Sequence, residues 1–298
     1  MIELKPAEFE AARPLFREVA EMHLFATAVL NHDLPGRIYV DDVNRPQSGF
    51  MSTKELQFLA GDPDNETFNA ALKQVFQATI FTGDAPGATL EEIDLTFVGD
   101  SWRHRLETLF GDWRWPPIPD QAYHYLLREQ RLNWRELIPP GYVVRPLDTA
   151  VITNQPIDAY QFEVKPLAEF GERDFGFCAL WNGERRGGHA GASGRIVCTC
   201  STDVISGTAC EIGIETHPDH YRQGLATVVA AATIEYALAQ GFRDIWWICA
   251  ADNPGSIRTA KKVGFAKQFE SKGYFFILDE IEHKRQATNE RNRNSGFV

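Results

Sequence analysis

Cysteine is scarce in this 298-residue chain: Cys178, Cys198, Cys200, Cys210 and Cys249 are the only five, and all lie in the second half. None forms a Cys-x-x-Cys pair or a spacing with His that suits zinc, so no metal site is expected. Four of them fall in segments that read as apolar strands, which favours buried free thiols of a reducing cytoplasm over a catalytic thiol or metal site. Basic residues are also few. Thirty Lys and Arg stand against 41 Asp and Glu, a formal charge of −11 with a pI near 5.2. Such a surface repels phosphate backbones and argues against nucleic acid as a partner. Long apolar runs are absent: the longest, within Leu225–Ile234, is too short to cross a bilayer. The opening MIELKPAEFEAARPLFREVAEMH has acidic residues where a signal peptide needs a basic flank. The expectation is a cytoplasmic protein with no membrane association. No fixed-period repeat is visible either.

What is present supports a packed core, with 44% hydrophobic, 12% aromatic and 24% charged residues, far from disordered composition. The length fits two ordinary domains or one large one. Acidity is uneven: residues 1–140 hold 13 Lys and Arg against 22 Asp and Glu, whereas residues 141–298 hold 17 against 19. The second half therefore tolerates a polyanionic ligand better. Prolines interrupt the chain at Trp115–Pro119 and again at Ile138–Gly141, where they remove backbone donors and stop helices. The second interruption sets the expected boundary, giving domains at 1–140 and 141–280 and a polar, aperiodic, disordered tail at 281–298.

In the first half, Pro6–Leu30 reads as helical and Arg37–Asp41 as a strand running into a turn-rich stretch. Asp64–Ala78 reads as a helix, Ile93–Val98 as a strand, and Ser101–Phe110 as a helix with Ser101 as N-cap. Arg103, His104 and Arg105 on that last helix read as a solvated face. In the second half, Phe175–Trp181, Arg195–Ile205 and Cys210–Thr216 read as strands, the first two joined by a long Gly-rich connection over Asn182–Gly194. A small-residue helix over Leu225–Ala239, a strand over Asp244–Ala250, a helix over Pro254–Val263 and a strand pair over Phe265–Leu278 complete it.

The chemistry-bearing run is Glu211-Ile-Gly-Ile-Glu215-Thr-His-Pro-Asp-His-Tyr-Arg222-Gln-Gly224-Leu-Ala226-Thr227. A strand ends at a Pro-Asp turn and passes through Gly224 directly into a helix. Unpaired N–H groups and the positive end of the dipole at such a start suit a phosphate or pyrophosphate. Gly224 and Ala226 keep the approach open, and Arg222 adds a positive charge. A plain tight strand-to-helix turn explains a Gly-x-Ala about as often. Downstream, a second helix opens at Asn253-Pro254-Gly255-Ser256, with Asn253 as N-cap and Pro254 at the first helical position.

Together, Tyr221-Arg222-Gln223-Gly224-Leu225-Ala226 and Asn253-Pro-Gly-Ser256…Gly264-Phe265 resemble the acetyl-CoA loop and following helix of the GNAT superfamily of N-acetyltransferases. The likeness is most specific over Cys210–Phe265. A closer likeness is to the two-part subfamily that includes zwittermicin-type antibiotic resistance acetyltransferases, carried by Glu211–Pro218, Gly224–Thr227, Gly36–Asp42 and Asn44-x-Pro46. The resemblance implies the α+β GNAT fold, a mixed and mostly antiparallel sheet flanked by helices over 141–280. The smaller α/β domain at 1–140 looks like a degenerate copy forming an acceptor-side wall.

The resemblance further implies acetyl-CoA as acyl donor and direct transfer to the amine of a small molecule. Backbone amides of Ile212, Ile214, Glu215 and Thr216 would line the pantetheine arm. Tyr221, Arg222, Gln223, Gly224, Leu225, Ala226 and Thr227 would hold the pyrophosphate, with Asn253 and Ser256 on the second helix. Two positions depart from the pattern. Tyr221 stands where Arg or Gln is usual, with Arg222 and Gln223 following, and Ala260 replaces the tyrosine that serves many GNAT enzymes as acid.

Glu211, Gly213 and Glu215 alternate onto one strand face, and at ~3.3 Å per residue the two carboxylates are about 13 Å apart, too far to serve one amine. With the pyrophosphate beyond the strand's end, Glu211 is favoured as general base, directly or through water. The competing reading is a strand-end carboxylate in a surface pair. Tyr274 and Tyr221 are the sequence candidates for a replacement acid. His217 and His220 read as solvated turn histidines. Of the adjacent Trp246 and Trp247, one faces the core and the other the opposite side. The first half's acidity favours a cationic acceptor. A non-catalytic acyl-CoA sensor remains the alternative, favoured by the missing tyrosine.

Overall fold

Short elements alternate along the whole chain. The structure, a computed structural model, describes residues 1–82, 92–111, 118–153, 172–182 and 194–277. In order these form β1 (Ile2–Glu3), α1 (Phe9–Ala12), α2 (Arg17–Met22), α3 (Leu24–Leu30), β2 (Arg37–Val40), β3 (Ser48–Ser52), β4 (Leu56–Gly61), α4 (Glu66–Thr82), β5 (Glu92–Phe97), α5 (Asp100–Phe110) and β6 (Ile118–Leu127). There follow β7 (Tyr142–Pro146), α6 (Thr149–Thr153), β8 (Gly176–Trp181), β9 (Arg195–Ser206), β10 (Ala209–Thr216), α7 (Leu225–Ala239), β11 (Asp244–Ala250), α8 (Pro254–Lys262) and β12 (Phe265–Ile277).

Among the described residues the chain folds into two compact units, one of Met1–Gln121 with Glu270–Ile277, the other of Ala122–Phe269. The expected division lay at 140 and 280. It moves because each unit takes a strand from beyond that boundary: Ala122–Leu126 of β6 pairs with β11, and Lys272–Ile277 of β12 pairs with β5. Both units follow one strand plan. In the first, β1, β2, β3 and β4 are successively antiparallel, β4 and β5 are parallel, and β5 is antiparallel to β12. In the second, β7, β8, β9 and β10 are antiparallel, β10 and β11 parallel, and β11 antiparallel to β6.

Each unit has its own core. In the first, Phe68, Phe76, Trp102, Phe110 and Phe276 pack with Leu95 and Leu106. In the second, α7 is mostly apolar and ten of its residues are buried, while Glu235, Tyr236, Leu238 and Ala239 near its end are exposed, the pattern of a helix enclosed over most of its length. It packs on the sheet face formed by Cys198, Cys200, Cys210 and Ile212. Leu147 and Val151 cover Cys178 and Ile196 on the other face. All five cysteines are free and buried, and burial pushes the thiols of Cys178, Cys198 and Cys210 up to about 12.

Three local expectations change. Pro6–Leu30 is not one helix: Pro14 interrupts it and His23 is extended, with φ −126° and ψ 117°. Gly99, at φ 84°, takes the cap position of α5, so Ser101 lies inside the helix. Phe265–Ile277 is a single strand rather than a pair. The connection over 183–193 and the tail over 281–298 lie outside the described residues. No helix among the described residues is long and apolar enough to cross a membrane.

Candidate active site

The parallel ladder between β10 and β11 is three residues long. Ala209, Cys210 and Glu211 pair with Asp244, Ile245 and Trp246, and there it stops. Ile212–Thr216 continue to pair with β9 while Trp247–Ala250 continue to pair with β6. The two strands therefore part beyond Glu211 and Trp246, leaving backbone groups on their facing edges for another extended segment. Both helices that follow, α7 and α8, start at this open end, the end where parallel strands place their ligands.

Gly224 enters α7 at φ 81° and no side chain caps it. The first intrahelical bond is made by Val228 to the Gly224 carbonyl, at 3.2 Å, so the amides of Leu225, Ala226 and Thr227 precede it. A Cβ at Gly224 would find no atom within 4 Å. Tyr221, Arg222, Gln223 and Gly224 are exposed, and Arg222 also has positive φ, 62°. This combination of uncapped amides, an exposed guanidinium and a left-handed glycine fits a pyrophosphate. The matching turn of the first unit does not fit one. There Asn65 Oδ1 caps Phe68 N–H, Asp62 Oδ1 accepts from Asp64 N–H, and Arg105 is bound to Asp64 and Glu66. Arg105 is thus an ion-pair partner rather than a solvated cation.

The histidines of the turn are not solvated. His217 is buried, with its Nε2 against the Arg195 guanidinium and its Nδ1 accepting from Asp219 N–H at 3.2 Å. His220 Nδ1 lies 2.8 Å from Tyr142 Oη, and its ring packs edge-on or tilted against Tyr142, Trp181 and His217. Burial, followed by the neighbouring His217 and Arg195, holds His220 below its ordinary value. Both rings anchor the loop, and Tyr142, Trp181 and Arg195 carried no sequence signal for that role.

Cross-strand register assigns faces. Ile214, Cys200 and Phe177 are in line and belong to the α7 side, whereas Glu215, Thr199 and Cys178 are in line on the α6 side. Glu211 shares the α6-side face with Gly213 and Glu215. It is only 6% exposed, and its Oε2 has no hydrogen-bond partner among the described residues. The surface-pair reading of Glu211 therefore fails. Burial, reinforced by the charge of Asp203, raises its pKa well above the carboxylate range. Trp246 stands opposite Glu211 and packs on Phe269, which in turn packs on the buried His124. Trp247 faces the other way into the core.

A raised folded pKa means that the native state keeps a proton the unfolded chain has lost. That contribution is complete below the ordinary 4.5 and disappears as pH rises through the native value. Glu211→Gln does not titrate, so its melting temperature relative to wild type climbs between pH 4 and pH 8, by about 2–4 °C for each kcal/mol involved. Parallel thermal melts at the two pH values check this; an unchanged difference would show that Glu211 is not desolvated.

At the start of α8, Asn253 Oδ1 accepts from Ser256 N–H at 3.0 Å, and Ser256 Oγ accepts from Trp247 Nε1 at 2.8 Å. Both side chains thus have structural work, tying the helix start to β11 just past the point where the strands part. Ser256→Ala orphans the indole N–H of Trp247, which is 1% exposed, and costs about 1–3 kcal/mol in chemical denaturation. Ala260 is fully buried and offers no proton. Tyr274 lies in the first unit's core, where its hydroxyl donates to Glu107 at 3.0 Å and burial with that bond pushes it up to about 12.

Two units, each a mixed sheet on one strand plan, the second with a splayed parallel strand pair and an open helix start at its end, are the architecture of an acyl-CoA N-acyltransferase fold. A sequence profile described as GNAT acetyltransferase matches residues 13–274, and the chain belongs to that family. It is 24% identical over 255 residues to the uncharacterized N-acetyltransferase YdfB of Bacillus subtilis, covering 84% of this chain and 89% of that one. The fold is similar to a GCN5-related N-acetyltransferase-like protein from Streptococcus suis, at TM-score 0.60 and 18% identity over 91% of this chain and all of the other. It is also similar to a tandem GNAT protein from the clavulanic acid biosynthesis pathway, at TM-score 0.52 and 12% identity over 92% and 96% of the two chains. Family membership makes acetyl-CoA the expected cosubstrate. Among the described residues no group of three or more His, Cys, Asp or Glu is placed to hold a metal.

Proposed function

We propose that the second unit is an acetyl-CoA-dependent N-acetyltransferase that acetylates the amine of a small molecule by direct attack. The observation that carries this reading is the short β10–β11 ladder, which ends at Glu211 and Trp246 and leads to the uncapped start of α7. The thioester supplies an activated acyl carbon and a thiolate leaving group. The chain's own residues do the rest. Amides of Leu225–Thr227 with Arg222 hold the pyrophosphate, and the splayed edge of Ile212–Thr216 pairs with the pantetheine and offers an N–H to the charge developing on the acetyl oxygen. Asn253 and Ser256 shape the opposite side. Glu211 takes the ammonium proton through a water molecule, because its carboxyl is too buried to touch the amine directly.

The motifs at Glu211–Pro218 and Gly224–Thr227, with the two-unit strand plan, support a place in the zwittermicin-type subfamily. The acidic first half supports a cationic acceptor. Free-thiol release from acetyl-CoA with a panel of amines, alongside calorimetry with CoA, tests the reading; a chain that does not bind CoA overturns it. The buried Ala260 favours one second reading, an acyl-CoA sensor, whose signature is CoA binding without thiol release for any amine.

A further inference from the structure

Where β9 passes Glu211 it carries one residue more than β10. Val204 stands opposite Glu211 and Thr202 opposite Ile212, which leaves Asp203 as the extra residue of a bulge. A bulge re-aims a side chain, and here the re-aimed group is a carboxylate laid across Gly213. A Cβ on Gly213 would meet Asp203 Oδ2 at 2.5 Å and Oδ1 at 2.7 Å. Gly213 shares a face with Glu211, so an exposed carboxylate and a buried one stand on the same side of the strand. They are about two residues, ~7 Å, apart along it.

Glu211 has a second property that points to a ligand. It is more than nine-tenths buried, and its Oε2 reaches no donor among the described residues. A carboxyl left in that condition costs stability, and the group it lacks is an N–H or O–H donor. The half-buried Trp246, directly opposite Glu211 on the same face, adds an aromatic surface that favours a cation.

Resting on the acetyltransferase reading, we infer that Asp203 is the specificity-determining residue of this site. It holds the acceptor as an ammonium ion, so the substrates are alkyl amines that are cationic at neutral pH. Arylamines, which arrive uncharged, gain nothing from Asp203, and amines bearing a nearby carboxylate meet like charge from both Asp203 and Glu211. The ammonium N–H bond breaks as its proton passes by way of water to the Glu211 carboxylate. The neutral amine that remains attacks the acyl carbon.

The test uses the full chain loaded with CoA, a non-reactive stand-in for the donor, titrated calorimetrically with butylamine, 1,4-diaminobutane, 4-aminobutyrate and aniline. The two cations bind wild type at least about tenfold more tightly than the other two, and Asp203→Asn loses about tenfold or more of that affinity. Gly213→Ala, whose methyl displaces the Asp203 carboxylate without removing its charge, weakens the cations in the same direction. In steady-state assays Asp203→Asn raises KM for alkyl amines and leaves kcat within about threefold. Equal affinity for all four probes, or unchanged cation binding by Asp203→Asn with CoA still bound, overturns the assignment. Loss of CoA binding by wild type would instead overturn the acetyltransferase reading beneath it.

Discussion

Glu211→Gln lowers kcat by on the order of 10²–10³, the range typical of a removed general base, while the Kd for CoA stays within about twofold of wild type. The separation follows from the geometry. Glu211 is the last β10 residue in the parallel ladder, and the backbone proposed to bind the cosubstrate begins one residue later. Its carboxyl is buried and its Oε2 has no hydrogen-bond partner among the described residues, so the substitution removes a proton acceptor and little else. The pH profile provides a second reading of the same event. Glu211 accepts a proton only when ionised, and burial together with Asp203 holds its pKa above the carboxylate range. Activity therefore falls as pH drops through that raised value, and the inflection disappears in Glu211→Gln. Stopped assays over pH 5–9 with both proteins check this, and full turnover by the variant would remove Glu211 from the mechanism.

Gly224→Val weakens CoA binding by on the order of 10- to 100-fold, because left-handed backbone at a non-glycine residue costs about 1–3 kcal/mol and a β-branched one resists it most. Packing plays no part: nothing lies within 4 Å of the added Cβ. The loss is a backbone effect. To relieve the strain the chain rotates away from φ 81°, and the amides of Leu225–Thr227 no longer converge. Gly224→Asn, which tolerates the left-handed region, recovers part of the affinity. Calorimetry on the three proteins decides the matter; equal CoA affinity in Gly224→Val would show that the amides at this helix start do not hold the pyrophosphate.

The two units differ at the turn where the second is proposed to hold an anion. At the start of α7 the turn ends in a left-handed glycine with no cap. At the start of α4 the side chains of Asp62 and Asn65 already occupy backbone donors, and Arg105 is spent on Asp64 and Glu66. The difference lies in a handful of turn residues and requires no change in topology. The acidity of the first half is therefore compatible with the polyanion site proposed in the second.

Much of the second unit was legible in the sequence. Leu225–Ala239 and Asp244–Ala250 are helix and strand over the residues expected, since an Ala- and Val-rich run between glycines and a short apolar run after Gly241 leave few alternatives. The cap at Asn253 was equally plain, because capping is a local bond between near neighbours. In the first half β1, β3, β4 and β6 went unread. The pairings β2–β3, β3–β4 and β4–β5 are made between segments whose sequences contain turn residues and short apolar runs, and only the partners decide that they are strands.

What the sequence determined by itself is the local chemistry: a glycine turn that opens a helix, an Asn cap, alternation that puts Glu211 and Glu215 on one face, and a surplus of acid in the first half. What only the tertiary structure decided is everything set by distant pairing. The division of the units shifted because β6 and β12 each complete the sheet of the other half's strands. Glu211 became a buried carboxyl whose Oε2 has no partner among the described residues because of what packs around the strand, and Asp203 joined it through a bulge that exists only in the pairing of β9 with β10. Burial and register arise between segments far apart in the chain, and a pattern read along one segment does not contain them.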